Sequence, residues 1–194
     1  MRHSFIVLAA AASAVATPAF AQDFTGPRVE ANVGYDRVQA EPGLAGSTDH
    51  AEGLRLGGAV GYDVALGKTF TIGAEAGIGW TLDDRERAPV GATQVGVESG
   101  RDIDLSLRLG ARVAPRTLVY AKAGWANTRF TGEVRNAAGA LVSRTRGNAD
   151  GVRVGVGVEQ ALSERFYVKG EYRYTDYGRD VSRHQALVGF GVRF

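Results

Sequence analysis

Three residues of the types used in nucleophilic catalysis stand close together in the stretch STDH: Ser47, Asp49 and His50. A hydroxyl nucleophile needs a base at hydrogen-bonding distance, and a third group must orient that base. Residues of these types also meet by chance in polar loops, so the stretch alone does not establish a catalytic site. The sequence also offers no glycine-rich phosphate loop between a strand and a helix and no metal-ligand spacing. We therefore predict that the chain is not an enzyme and uses no cofactor and no metal ion.

A second set of reactive residues consists of charges in the middle of segments that alternate between apolar and polar residues. Its members are Glu75, Arg108, Lys122, Arg153, Glu159, Glu171 and Arg173. Opposite charges in a confined space form ion pairs and charge-assisted hydrogen bonds. A selective ion path would instead be lined by charges of one sign. Because both signs are present, the set predicts a structural salt-bridge network, with a gated ion path as the less favoured alternative.

These charges lie in segments that the period of two predicts to be β-strands. Eight such segments fall near residues 28–38, 53–64, 69–82, 101–113, 118–129, 150–161, 166–176 and 184–194. Their length suits tilted membrane strands, which need about 9 to 11 residues. Short connections alternate with long ones, as in outer-membrane barrels. The long connection TGEVRNAAGALVSRTRG has apolar residues on both sides of a turn-like centre, which predicts that strands five and six continue as a hairpin beyond the membrane.

Alternation alone leaves two barrel classes open, because a lipocalin turns its apolar face inwards and a membrane barrel turns it outwards. Glycines stand beside long charged residues on the polar face, as a crowded lumen requires. The aromatic residues of the apolar face fall near strand ends, where membrane barrels carry girdles. They are Tyr62, Phe70, Phe166 and Phe194 towards the short turns, and Tyr35, Trp80, Trp125 and Tyr174 towards the long loops. These features predict an all-β fold, an eight-stranded antiparallel up-and-down transmembrane β-barrel.

Residues 1–21 have the character of a secretory signal peptide, with a basic start, an apolar alanine-rich core and small residues before the cleavage site. Cleavage would leave one domain, the barrel of residues 22–194. The chain has no cysteine, which excludes a disulfide framework and a thiolate metal site. Its formal net charge is only +2, so nothing supports a nucleic-acid partner.

The C-terminal stretch LVGFGVRF contains Gly189, Val192 and the final aromatic residue Phe194. It resembles the C-terminal assembly signal of outer-membrane barrels, and VKGEYRYTDYG resembles their penultimate strand. The mature chain as a whole resembles the small outer-membrane β-barrel family of Gram-negative bacteria, the porin-family or opacity-like surface proteins related in architecture to OmpA and OmpX. The resemblance implies a monomer in the cell outer membrane, exported through the periplasm and inserted by the barrel assembly machinery.

Arginines at or beyond the loop ends of the strands suit the phosphates of lipopolysaccharide, because guanidinium groups bind phosphate in a fork. Solvated loop charges are an equally good interpretation of the same residues. They are Arg129, Arg135, Arg144, Arg146, Arg179 and Arg183.

Members of the family serve as structural proteins, surface antigens, adhesins or narrow pores. We expect an integral outer-membrane barrel with a structural or surface-interaction role and a lumen plugged by paired charges. The alternative is a passive narrow pore for small solutes or ions. A lipid A-modifying barrel enzyme that uses the STDH stretch is a remote alternative.

Overall fold

A computed structural model describes residues 24–40, 50–82, 86–90, 93–136, 140–178 and 181–194. Within these ranges the chain forms nine β-strands. They are β1 (Gly26–Ala40), β2 (His50–Leu66), β3 (Phe70–Leu82), β4 (Glu86–Val90), β5 (Thr93–Ala114), β6 (Thr117–Asn136), β7 (Leu141–Ala161), β8 (Phe166–Asp176) and β9 (Val181–Arg193). In the described part of the chain, no helix is long and apolar enough to cross a membrane.

Eight of the nine strands form a closed antiparallel barrel. The strands are hydrogen-bonded in the order β3-β2-β1-β9-β8-β7-β6-β5-β4, and an additional pairing of β3 with β5 closes the sheet. β4 pairs only with β5 and lies outside the barrel wall. The predicted eight-stranded barrel is confirmed. β4 was not predicted, because its residues lie within the long connection 83–100.

The two ends of the barrel differ in their connections. Short connections at 67–69, 115–116 and 162–165 define the turn end, and both termini of the described chain lie there. The opposite end, which we call the loop end, carries the connections from β1 to β2, β3 to β5, β6 to β7 and β8 to β9. The predicted placement of the signal peptide at 1–21 lies outside the described residues, as does the start of the predicted domain at 22.

Successive residues of each barrel strand point alternately to lipid and to the interior, because the backbone of a β-strand is pleated. On β5, the outward-facing Leu107 is 66% exposed whereas its inward-facing neighbour Ser106 is 3% exposed. The predicted direction of the two faces is therefore correct. Tyr35, Trp80 and Trp125 face outwards near the loop end, and Phe70 and Phe166 do so at the turn end.

Three strands continue well past the barrel wall at the loop end. β5 and β6 stay paired from Ser99↔Phe130 to Thr93↔Asn136, and β6 and β7 stay paired to Arg135↔Leu141. The predicted continuation of these two strands as a hairpin is thus confirmed as far as its paired residues, and its position beyond the membrane stays a prediction. With β4, these segments form a four-stranded sheet, which we call the outer extension: residues 86–90, 93–99, 130–136 and 141–150.

Glycines on the inner face leave room for large side chains that lie across neighbouring strands. Tyr120 of β6 is opposite Gly157 of β7, and Tyr167 of β8 is opposite Gly191 of β9. An ideal Cβ atom on Gly157 would lie 2.5 Å from Cζ of Tyr120. The abundance of glycine in this chain is therefore explained in part by the bulk of its interior side chains.

Replacing Gly157 with valine should lower the free energy of unfolding by about 1–3 kcal/mol, because the new methyl groups overlap the Tyr120 ring. Gly170→Val is the matched control. Gly170 lies on the lipid face of β8 with no described atom within 4 Å of an ideal Cβ, so its replacement should be nearly neutral. Denaturant unfolding of the two variants would measure this difference, and an equal loss of stability in both would contradict it.

Candidate functional site

The seven charges that the sequence assigned to the lumen are all buried on the inner face of the barrel. They belong to a larger set, because eight acidic and nine basic side chains are buried among the described residues. The additional members are Glu30, Asp36, Asp63, Asp102 and Asp104, and Arg28, Arg55, Lys169, Arg183 and Arg193. All of these except Arg183 lie on the polar face of the eight alternating segments, but that parity could not show which of them would touch.

At the centre of the set, Glu75 and Glu171 share the same basic partners. Lys122 Nζ lies 2.6 Å from Glu75 and 2.8 Å from Glu171, each distance measured to Oε1. Lys169 Nζ lies 3.0 Å from Glu171 Oε2, and Arg173 donates to Glu171 as well. Arg28 reaches Glu75 from the turn end, with Nη2 2.7 Å from Oε2. Because β3, β6 and β8 are not all neighbours in the sheet, these contacts cross the lumen.

A second cluster lies nearer the loop end, around Asp102. Arg55 Nη2 is 3.0 Å from Asp102 Oδ2, and Arg153 Nη2 is 2.9 Å from Oδ1. Arg183 Nη1 is 3.6 Å from the same Oδ1, and the Thr128 hydroxyl donates to it at 2.8 Å. One carboxylate thus holds three guanidinium groups, and the interior is crosslinked across strands β2, β5, β7 and β9.

A third cluster lies at the turn end, where Asp63 and Glu159 bind shared arginines. Arg193 contacts both, at 2.8 Å from Asp63 and 2.7 Å from Glu159. Arg108 also contacts both, at 3.3 Å and 2.9 Å. Arg28 completes the cluster with its Nε 3.0 Å from Asp63. Since Arg28 also binds Glu75, the turn-end cluster is continuous with the central one.

Apolar side chains close the turn end beneath these charges. Phe24, Leu118 and Ala161 are buried and in contact. Arg193 lies over the Phe24 ring, with its Cζ 6.0 Å from the ring centroid. Phe24 precedes β1, so this contact brings the N-terminal part of the described chain into the mouth of the barrel.

Arg183 was predicted to lie at the outer rim and to contact lipopolysaccharide, and that prediction is wrong. Its guanidinium is buried in the lumen and donates to Asp36 and Thr128. The physical reason is parity. Arg183 shares the inward face of β9 with Gln185 and Gly189, and β9 begins at Val181, three residues earlier than the predicted strand.

Of the other arginines predicted to contact lipopolysaccharide, the structure describes the side chain of Arg129 alone. Arg129 is exposed on β6 beyond Trp125 and lies 3.5 Å from Asn148 Oδ1 through its Nε. Arg135, Arg144 and Arg146 fall on described strands, but their side chains are outside the described part. Arg179 lies outside the described residues altogether.

The side chains considered for nucleophilic chemistry all lie outside the described part of the structure. Ser47 and Asp49 lie outside the described residues, and His50 begins β2 with a side chain that is likewise outside the description. The other histidine of the predicted domain 22–194, His184, is on the outward face of β9, where its Nδ1 is 2.6 Å from the Tyr172 hydroxyl.

The predicted assembly signal lies on β9 and at its end. Gly189 faces the lumen, while Phe194 faces outwards and is exposed. The Phe194 amide donates to the carbonyl of Pro27 at 2.9 Å, so the last residue is tied to β1 by its backbone. The Phe194 side chain itself is 71% exposed.

Deleting Phe194 should therefore reduce insertion in cells much more than it reduces the stability of the folded barrel. The lost ring is exposed to lipid, whereas the assembly machinery would read it directly. Insertion is measured from the heat-modifiable band of membrane fractions, and stability from unfolding of protein refolded in detergent. Phe194→Tyr is the matched control and should insert normally. Equal defects in both measurements would contradict the assignment of an assembly signal.

A closed barrel with an apolar outer face, aromatic residues near both ends and charges inside is an integral outer-membrane barrel, because only hydrocarbon makes this inversion of faces favourable. The chain belongs to the family described as outer membrane protein beta-barrel domain, whose model matches residues 7–194. The resemblance drawn from its strands is confirmed, and the family places the protein in the outer membrane.

Solved structures show the same fold at low sequence identity. Neisserial surface protein A is 16% identical with a TM-score of 0.61, covering 88% of this chain and 98% of that one. Ail, the attachment invasion locus protein of Yersinia pestis, is 12% identical with a TM-score of 0.56, covering 87% and 99%. OprG of Pseudomonas aeruginosa is 13% identical with a TM-score of 0.52, covering 88% and 97%. No curated protein matches the chain significantly.

Proposed function

We propose that this protein is a structural or surface-interacting outer-membrane barrel whose lumen is closed by its own side chains, with its turn end facing the periplasm. The observation that carries this proposal is the continuous set of buried ion pairs from the turn-end cluster through the central one to the Asp102 cluster. Arg173 lies 3.7 Å from Glu75 and 3.6 Å from Asp104, and Arg153 contacts both Asp104 and Asp102. An eight-stranded barrel has an interior just wide enough for its side chains. Because charges of both signs are already paired, they form no ring of like charges that could bind a passing ion.

The proposal is tested by recording from the purified protein in planar lipid bilayers. We expect no steady unitary openings. Steady openings that are reduced by Gly155→Val, but not by Gly170→Val, would contradict it. Gly155 is on the inner face with Lys122 Cε 3.3 Å from an ideal Cβ, whereas Gly170 is on the lipid face, so the pair separates a lumen effect from a general one.

One observation favours the alternative of a passive narrow pore. Within the described interior, both polar atoms of the Gln185 side chain are buried without a hydrogen-bond partner, and so is Asp104 Oδ2. Buried polar groups without protein partners are commonly satisfied by water. A hydrated lumen would be the first requirement of a conducting one.

We propose further that the protein is not an enzyme. The support is compositional. Residues 22–194 contain only two histidines, His50 and His184. His50 lies with Ser47 and Asp49 in one short polar stretch, where residues of these types often meet by chance. Mass spectrometry of lipid A from cells with and without the protein tests this. A change in lipid A that disappears with His50→Ala would establish the lipid A-modifying alternative.

Lipopolysaccharide is the proposed lipid partner. Arg129 supports this, because it is exposed on the loop-end side of Trp125, where outer-leaflet phosphates would lie. The proposed barrel is monomeric, since its apolar outer face is a single band suited to lipid.

A further inference from the structure

The outer extension leaves one edge of β7 without a neighbouring strand. β7 pairs with β6 from Leu141 to Gln160, with one register shift at Val142. Its pairing with β8 begins only at Val152↔Asp176. Residues 141–150 are therefore bonded on one side alone within the described structure. Ten residues of strand present about 34 Å of backbone donors and acceptors on the free side.

This free edge lies beyond the membrane. Val152 is in register with Trp125, and Trp125 belongs to the aromatic residues that face lipid near the loop end. Residues 141–150 continue from there away from the bilayer. Val142, Ser143, Thr145 and Asn148 are exposed, so the edge is open to solvent.

The opposite edge of the outer extension is protected. β4 is five residues long and contains Pro89, and a short strand with a proline is a common means of preventing strand addition. The free edge of β7 is twice as long, and residues 141–150 contain no proline. An edge left long and open where its counterpart is blocked is suited to receiving another strand.

The charge of the β7 hairpin indicates which strand would fit. Residues 129–150 contain four arginines, Arg129, Arg135, Arg144 and Arg146, and two acidic residues, Glu133 and Asp150. The hairpin is therefore formally cationic. Two copies in one membrane would bring like-charged β7 hairpins together with their strands parallel, which disfavours self-pairing.

We propose that residues 141–150 of β7 form a docking edge for an extended acidic polypeptide segment, which adds as a fifth strand to the outer extension. Backbone hydrogen bonds would supply the affinity, and the formal charge of the hairpin would supply the preference for acidic sequences. The inference deepens the surface-interaction part of the proposed function. It does not depend on whether the lumen conducts.

The test uses the full mature protein folded in lipid nanodiscs and a synthetic probe peptide of about ten residues, alternating glutamate and threonine. We expect the peptide to slow amide hydrogen exchange within 141–150 and to leave β4 unchanged. The same peptide N-methylated at every residue keeps its charge but loses its donors, and should bind at least about tenfold more weakly. A lysine–threonine peptide should also bind at least about tenfold more weakly.

Three outcomes would overturn the proposal. The first is a lack of protection in 141–150 at saturating peptide. The second is equal binding of the N-methylated peptide, which would reduce the interaction to charge alone. The third is efficient disulfide dimerisation of Thr145→Cys in native membranes, which would assign the edge to a second copy; the natural chain has no cysteine to confuse that result. Because none of these measurements involves conductance, failure here and failure of the closed lumen are distinguishable.

Discussion

Replacing Glu75 with alanine is expected to lower the free energy of unfolding by about 3–5 kcal/mol, the range found when one partner of a buried ion pair is removed. The Glu75 carboxylate contacts Lys122 at 2.6 Å and Arg28 at 2.7 Å, and all three side chains are fully buried. Without it, Lys122 would remain in the barrel with Glu171 as its counterion, and Arg28 would keep only its contacts with Asp63 and Glu30. Denaturant unfolding followed by the fluorescence of lipid-facing Trp80 and Trp125 measures the loss.

The control is Glu52→Ala, which removes an acidic residue from the outside of the barrel. Glu52 is 3.7 Å from Arg37, and its side chain is 48% exposed. Exposed pairs contribute about 0–1 kcal/mol, so this variant should be nearly as stable as the parent. Comparable destabilisation by both variants would mean that the interior charges are already solvated, which would also weaken the proposal of a closed lumen.

Replacing Leu107 with arginine is expected to destabilise the folded barrel by about 2–4 kcal/mol, because a charge near mid-membrane must be transferred into hydrocarbon. Leu107 is on the lipid face of β5, near the middle of its barrel-forming part, and is one of the most exposed apolar residues. The measurement is unfolding of the variant in phospholipid vesicles.

Val113→Arg provides a control for depth. Val113 lies on the same strand and the same face but next to the short turn at 115–116. The cost of an arginine falls to about 0–1 kcal/mol near the interface, because the side chain can reach water. If Val113→Arg were the more harmful change, the position of the barrel in the bilayer would have to be shifted.

The buried charges are more informative about specificity than about total stability. Ion pairs taken out of water recover their desolvation cost only when the geometry is good, so an apolar interior of the same volume could be equally stable. The pairs make the position of each strand depend on the positions of others. Arg28 links the turn-end cluster to Glu75, and Arg183 links Asp36 to Asp102. We infer that the network favours one closed arrangement of the eight strands over alternatives with shifted register.

Parity along each strand could be predicted from the sequence because it depends only on neighbours two residues apart. This was sufficient to assign Lys122 to the lumen, where it is buried together with Tyr120 of the same parity. The ends of strands were harder to predict. β9 begins earlier than its alternation suggested. Arg183 was therefore predicted to lie at the surface, but it lies in the lumen.

The amino-acid sequence by itself determined which residues of each strand share a face, because the period of two is a local property of the pleated backbone. The glycines beside long charged residues and the aromatic residues near strand ends then indicated that the apolar face meets lipid. Only the tertiary structure decided which interior charges meet, that β4 stays out of the wall and that one edge of β7 has no neighbouring strand among the described residues. Those features depend on the register between strands and on contacts across the lumen. They join residues such as Arg108 and Glu159, 51 positions apart, whose proximity no local pattern records.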